Sequence, residues 1–174
     1  MASTFDPARL IARLEHGALA IAAAVACIDP DDASWRPDPV SWSVLEIVCH
    51  LADEESADFR TRTLMTLEDP EADWPPIDPQ GWAIERDYQS KNLQEQLDRF
   101  LALRRESIIM LRSLTDPEWS RTHTHPVFGS ATAGQMLACW CAHDALHLRQ
   151  LSRRLYQLAH RDGGGAPLDY AGTW

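Results

Sequence analysis

"CWCAHDALHLRQL", residues 139–151, sets His143 and His147 four positions apart in a stretch that otherwise reads as helix. Residues four apart on a helix share a face, with side-chain roots about 5–6 Å from each other. Two imidazoles so placed can converge on one cation at metal–nitrogen distances of about 2.0–2.1 Å. Such pairs also arise by chance on helix surfaces, so this one is only a half-site. It asks for a third ligand on a neighbouring helix, and for a fold that brings that helix close.

Breakers and periodicity give the fold. A first helix opens at Asp6-Pro7, where Asp caps and Pro suits the first turn, and runs to about Ile28. A second starts in "SWSVLEIVCHLADEE", residues 41–55, with Ser43 and Glu46 in capping-box spacing, and continues to about Leu67. A third covers roughly Leu93 to Leu114, on a stripe of Leu93, Leu97, Phe100, Leu101, Ile108 and Leu111, with an alternative start near Asp87. The fourth runs from Thr132 to about Ala159. Between them lie "DPDDASWRPDPV" (29–40), the Pro-rich crossing "EDPEADWPPIDPQGW" (68–82) and "DPEWSRTHTHPVFGSAT" (116–132). This predicts an all-α four-helix bundle with long crossover connections, one domain over residues 1–160. A tail, 161–174, follows, with a glycine run that makes its start flexible.

Sixteen Lys and Arg stand against 26 Asp and Glu, a net charge of -10. That balance repels phosphate backbones and anionic lipid, so neither nucleic acid nor a membrane surface is an expected partner. The longest aliphatic run, "ALAIAAAVACI" (18–28), is shorter than the roughly 20 residues a bilayer needs. Its flank, "DPARLIARLEHGALA", mixes acids and bases at helical spacing, which suits a folded first helix better than an export signal. Cys27, Cys49, Cys139 and Cys141 all fall in predicted helices among apolar neighbours. Cys139 and Cys141, two apart, point to different sides of their helix and do not readily bridge. The expectation is reduced, mostly buried thiols in a cytoplasmic protein.

His50 is the candidate third ligand. It follows an apolar run on the second helix, near the edge of the face that enters the bundle, with Asp53 and Glu54 one turn on. A single histidine there is more often a core residue; with His143 and His147 it would give a facial three-nitrogen site with open positions. Other metal patterns fail on spacing. A di-iron bundle wants Glu-x-x-His, which the chain lacks, and "HDALH" has Asp144 where a zincin needs the longer Glu. Cys139, one turn before His143, offers a thiolate, although a small cysteine packed beside Trp140 is the simpler reading.

Glu54, on the His50 side, is a candidate to orient a ligand or shuttle a proton. Asp144 points about 100° away from His143 around the helix. It is a candidate to hold an imidazole on the second helix, or to pair with Arg149 or another arginine. Trp42, Trp82, Tyr88 and Trp140 are candidate walls of a substrate pocket, with core packing as the simpler reading. His123 and His125, alternating in a short extended piece, are loop residues first and substrate contacts second.

These residues resemble those of the DinB-like (DinB/YfiT) four-helix metalloprotein family. "SWSVLEIVCHLADEE" is similar to its W-S-x-x-E-I-x-x-H-L-x-D-x-E block, and "FGSATAGQMLACWCAHDALHLRQL" to its block ending H-D-x-x-H-x-x-Q-L. The likeness also takes in "DFRTRTLMTLEDP" and "DYQSKNLQEQLDRFLALRRESIIMLRSLTDPEW". It implies His50, His143 and His147 as metal ligands, for zinc or nickel, with iron or manganese as alternatives. Some members look like metal-dependent thiol transferases using bacillithiol, mycothiol or glutathione, and one relative isomerises maleylpyruvate. The resemblance therefore implies a thiol S-transferase whose partners are a small-molecule thiol and an electrophile. The alternatives are a metal-dependent hydrolase or isomerase, or a non-catalytic, metal-stabilised, stress-related binding module. The last would have its site closed by a fourth ligand such as Cys139, His123 or Glu54. A homodimer through the outer helix faces is common in such proteins and is expected here.

Overall fold

The computed structural model describes residues 4–172; residues 173 and 174, the end of the expected tail, lie outside the described residues. Helix α1 (Pro7–Val25) opens on Asp6, whose side chain accepts from the backbone N–H of Arg9. Leu14, Ala18, Ile21 and Val25 recur at helical spacing and are buried. Helix α2 (Val44–Glu54) starts with both bonds of the Ser43–Glu46 capping box in place. It passes through a π-helical turn, Glu55–Phe59, into α3 (Arg60–Glu68), so the second long helix is one rod with a wide turn in it. Then come α4 (Pro79–Glu85), α5 (Leu93–Ser113) and α6 (Ala133–Asp162). A short antiparallel hairpin, β1 (Thr122–His125) with β2 (Gly129–Thr132), precedes α6 and contains the extended histidine piece.

The fold is the expected helical bundle, with corrections at the joints. The Pro-rich crossing is not all loop: Asp78 caps α4, accepting from the N–H of Gly81, with Pro79 in the first turn. The third helix does not start near Asp87, which takes a left-handed conformation (φ 47°) and separates a 3-10 turn at Tyr88–Ser90 from what precedes it. The thiols are not mostly buried. Cys27 lies beyond the end of α1 and is exposed, as is Cys139, on the side of α6 about 200° round from the buried Leu137.

Helix α1 packs on α5 and α6, and α2 packs on the same two. The first and second long helices therefore face each other diagonally, and segment 26–43 has to cross the bundle's end. One half of the core holds Ile21, Ile47, Val48, Phe100 and Leu151; the other holds Leu14, Phe59, Ile108, Leu137 and Trp140. Every residue of α2 is buried, because α4 and the Tyr88–Ser90 turn cover the side that the four long helices leave open. Its acids are therefore interior groups, and each needs a partner.

Candidate metal centre

His50 comes from the middle of α2, and His143 and His147 from adjacent turns of α6. Their Nε2 atoms form a triangle: 3.3 Å from His50 to His143, 3.1 Å from His50 to His147 and 3.0 Å between the α6 pair. Donors on one cation at about 2.0–2.1 Å, separated by these distances, subtend angles of about 90–110°, between an octahedral face and a tetrahedron. The residues present fit a divalent metal. Among the described residues no fourth His, Cys, Asp or Glu joins the cluster.

The rings are held as neutral donors. Burial first, then the neighbouring imidazoles, lowers the pKa of His50 to about 3 and of His143 to about 2; burial also lowers that of His147. His147 donates its Nδ1 hydrogen to Gln150 Oε1 at 2.8 Å, which leaves the Nε2 lone pair facing the other two rings. Trp42 lies against His50 and Phe59 against His143, each with ring centroids 4.8 Å apart. Glu54 sits closest among the carboxylates, with Oε2 3.2 Å from His143 Nε2 and Oε1 3.8 Å from His50 Nδ1. Burial, then the nearby Asp58, raises its pKa to about 7.

The acids around Glu54 point to different partners. Asp53 accepts from Tyr88 Oη at 2.6 Å and pairs with Arg86 and Arg99. Glu55 accepts two bonds from Arg104 and one from Trp140 Nε1. Asp58 pairs with Arg62. Asp53, Glu54 and Glu55 are consecutive, so about 100° of helix rotation separates each from the next and turns it to a different neighbour.

A cleft of about 550 Å³ opens beside the histidines, lined by Trp42, His50, Glu54, His147, Gln150 and Arg154 among others. A second, about 570 Å³, reaches His143 and His147 from the side of Arg149. Of the residues singled out in the sequence, Trp42 and Glu54 thus stand at the histidines. Tyr88 does not: it is buried against α2 with its hydroxyl on Asp53. Trp140 is packed in the core, bonded to Glu55. Asp144 contacts neither an imidazole nor Arg149; it takes both Nη groups of Arg104, from α5. His125 stacks on Phe128 in the hairpin, and His123 bonds the Pro70 carbonyl. Sequence reasoning missed Gln150, Arg104 and Arg154. The signal for Gln150 and Arg154 was present, three and seven positions after His147 on the same helix.

A protein of Oceanobacillus iheyensis, a candidate metal-dependent hydrolase, is 30% identical over 122 residues, 70% of this chain and 68% of its own. The fold matches that of YfiT from Bacillus subtilis, another candidate metal-dependent hydrolase described as a four-helix bundle of unusual topology. The TM-score is 0.78, with 22% identity over 94% of this chain and 91% of that one. It also matches a mycothiol-dependent maleylpyruvate isomerase, with TM-score 0.70 and 12% identity, over 86% of this chain and 63% of the isomerase. The model of the DinB superfamily matches residues 13–151, the span that includes all three histidines, and the chain belongs to that superfamily.

Proposed function

We propose that the chain is a metal-dependent enzyme in which His50, His143 and His147 would hold a divalent cation, and a small thiol attacks an electrophile admitted through the Trp42 cleft. The observation that carries this reading is the open donor set: three neutral imidazoles meeting at 3.0–3.3 Å, with no fourth ligand in the cluster among the described residues and a cleft lined by His50 and His147. A structural site would be closed. When bound, a divalent cation, zinc or nickel by donor type, supplies the Lewis acidity that ionises a thiol or a water at neutral pH.

A thiol of pKa about 8.5 is about 3% ionised at pH 7, so full ionisation supplies roughly 30-fold, or about 2 kcal/mol. Orientation has to provide the rest. Trp42 fixes the His50 ring, Gln150 fixes the tautomer of His147, and Glu54, facing the cleft beside His143, accepts the proton the nucleophile releases. A second reading puts water in place of the thiol. It is supported by the same position of Glu54, which suits a general base, and by the hydrolase names of two of the relatives.

Cobalt-loaded protein titrated with small thiols, and assayed for conjugation to a fluorogenic electrophile and for ester and amide hydrolysis, tests both. Conjugation that disappears with the metal in His147→Ala supports the thiol reading. Conjugation that survives metal loss overturns it, and hydrolysis without conjugation selects water.

A further inference from the structure

Among the described residues three arginines are buried: Arg62, Arg104 and Arg154. Two have counter-charges. Arg62 pairs with Asp58, and Arg104 with both Glu55 and Asp144. Arg154 is 4% exposed and, among the described residues, makes no direct ion pair; Asp38 and Glu46 act on its charge only from a distance. Its Nε donates to the Trp42 carbonyl and its Nη1 to Gln157 Oε1, each at 2.6 Å, and both acceptors are neutral. The two acids whose charges reach it, Asp38 and Glu46, are hydrogen-bonded elsewhere. Asp38 accepts from the backbone of Val40 and Ser41 and from the Ser41 hydroxyl, and Glu46 holds Arg36 and the Ser43 N–H.

A buried guanidinium with no carboxylate in contact is costly in a folded protein, and Arg carries a planar fork suited to one. Arg154 is also well placed. It follows His147 by two helical turns on the same face of α6 and lines the cleft that reaches His50 and His147. Exposed Arg153, with no bonded partner among the described residues, lines the same cleft, and Arg149 lines the next. Cations thus gather here on a chain of net charge -10, with Asp38 and Glu54 the acids in the cleft.

We infer that Arg154, with Arg153 at the rim, is the receptor for a carboxylate on the molecule that reaches the histidine cluster. The substrate class is then small thiols or electrophiles carrying a carboxylate set apart from the reacting atom. Seven residues of helix rise about 10 Å, and the arginine leans back toward the helix start. The spacing from carboxylate to reacting atom is therefore roughly 5–10 Å. The carboxylate end stands on Arg154 alone; the reacting end rests on the proposed metal site.

The test uses mercaptopropionate, mercaptohexanoate and mercaptooctanoate, each beside its methyl ester, and adipate beside dimethyl adipate. Binding to zinc-loaded and metal-free protein is measured by calorimetry at pH 7. Mercaptohexanoate is expected to bind at least tenfold tighter than its ester, with a smaller preference for mercaptopropionate, which is too short to span the gap. In Arg154→Gln the preference falls below twofold, with zinc content and ester affinity unchanged; Arg154→Lys keeps part of it. Equal binding of acid and ester by the unaltered protein overturns the inference without any variant. So does a preference that Arg154→Gln leaves intact. If adipate outbinds its ester while the thiol series gains nothing from zinc, the receptor stands and the metal-site reading fails.

Discussion

Arg104 of α5 and Asp144 of α6 meet in two hydrogen bonds, 2.6 and 2.9 Å long, one residue from His143. The same guanidinium grips Glu55, at the start of the π-turn, and the carbonyl of Leu14 in α1. One side chain therefore ties four elements together behind the histidines. Burial works against its charge, but the carboxylates of Asp144 and Glu55 outweigh it and hold the pKa above the usual arginine range. Arg104→Met strands two buried acids, and a loss of about 3–5 kcal/mol is expected in urea unfolding. Combining it with Glu55→Gln and Asp144→Asn should restore part of that. A loss below about 1 kcal/mol for Arg104→Met alone would remove the network from the account of how α6 is held.

Gly17 of α1 lies against the Asp144 carboxylate of this network. A Cβ there would lie 2.6 Å from Asp144 Oδ2, and that oxygen cannot swing aside while Arg104 holds both oxygens of the carboxylate. Replacing a mid-helix glycine with alanine ordinarily stabilises by about 0.5–1 kcal/mol. Here the sign should reverse, to a loss of about 1–3 kcal/mol from overpacking. Thermal unfolding of Gly17→Ala decides it; a raised Tm would mean that α1 and α6 have room to separate.

These two contacts mark what the sequence could not disclose. Helix caps and ligand spacing are local, so Ser43 with Glu46, and His143 with His147, are legible in a few residues of text. His50 joined them through a predicted bundle and a family resemblance. Arg104 reaches partners 40 and 49 positions away, and no local pattern reports such a match. Cap α4 failed differently. Asp78-Pro79 repeats the Asp6-Pro7 signal, but the surrounding prolines favoured a loop reading. Tyr88 and Trp140 looked like pocket walls because a large ring with a polar tip suits either a cleft or a core; the buried acids Asp53 and Glu55 took their donor groups and settled them inside.

Asp53 gives the protein an acid-sensitive joint between α2 and the α4–α5 region. Burial pushes its pKa up, but the bonds from Tyr88 and Arg99, with Arg86, outweigh burial and hold it below the usual value of 3.8. A carboxyl depressed in the folded state stabilises fully above its unfolded pKa and loses that contribution as pH falls through the folded one. Near neutral pH, Asp53→Asn should cost about 1–3 kcal/mol, leaving the Tyr88 hydroxyl and two arginines without their anion. Below about pH 4 the stability curves of the two proteins should converge. Urea unfolding at a series of pH values measures the gap, and a constant gap down to pH 2 contradicts the assignment. Asp144 and Asp58, which burial shifts upward, carry the opposite sign, so only the difference between the two proteins isolates Asp53.

Gln150 tests whether the tautomer of His147 matters to the metal. Its Oε1 is 2.8 Å from His147 Nδ1, and a ligand's outer hydrogen bond typically accounts for about 10–100-fold in metal affinity. Gln150→Leu keeps the bulk on a half-exposed stretch of α6 but accepts no hydrogen, so the proton is free to settle on Nε2, where it blocks ligation. Zinc affinity, by chelator competition, should fall by that factor while the unfolding of the metal-free protein hardly changes. Gln150→Glu, a stronger acceptor, should bind zinc at least as tightly as the unaltered protein. That order, Glu at or above Gln and both well above Leu, separates an electronic role at the imidazole from a packing role. Equal affinities across the three would show that the ring is oriented by its surroundings alone.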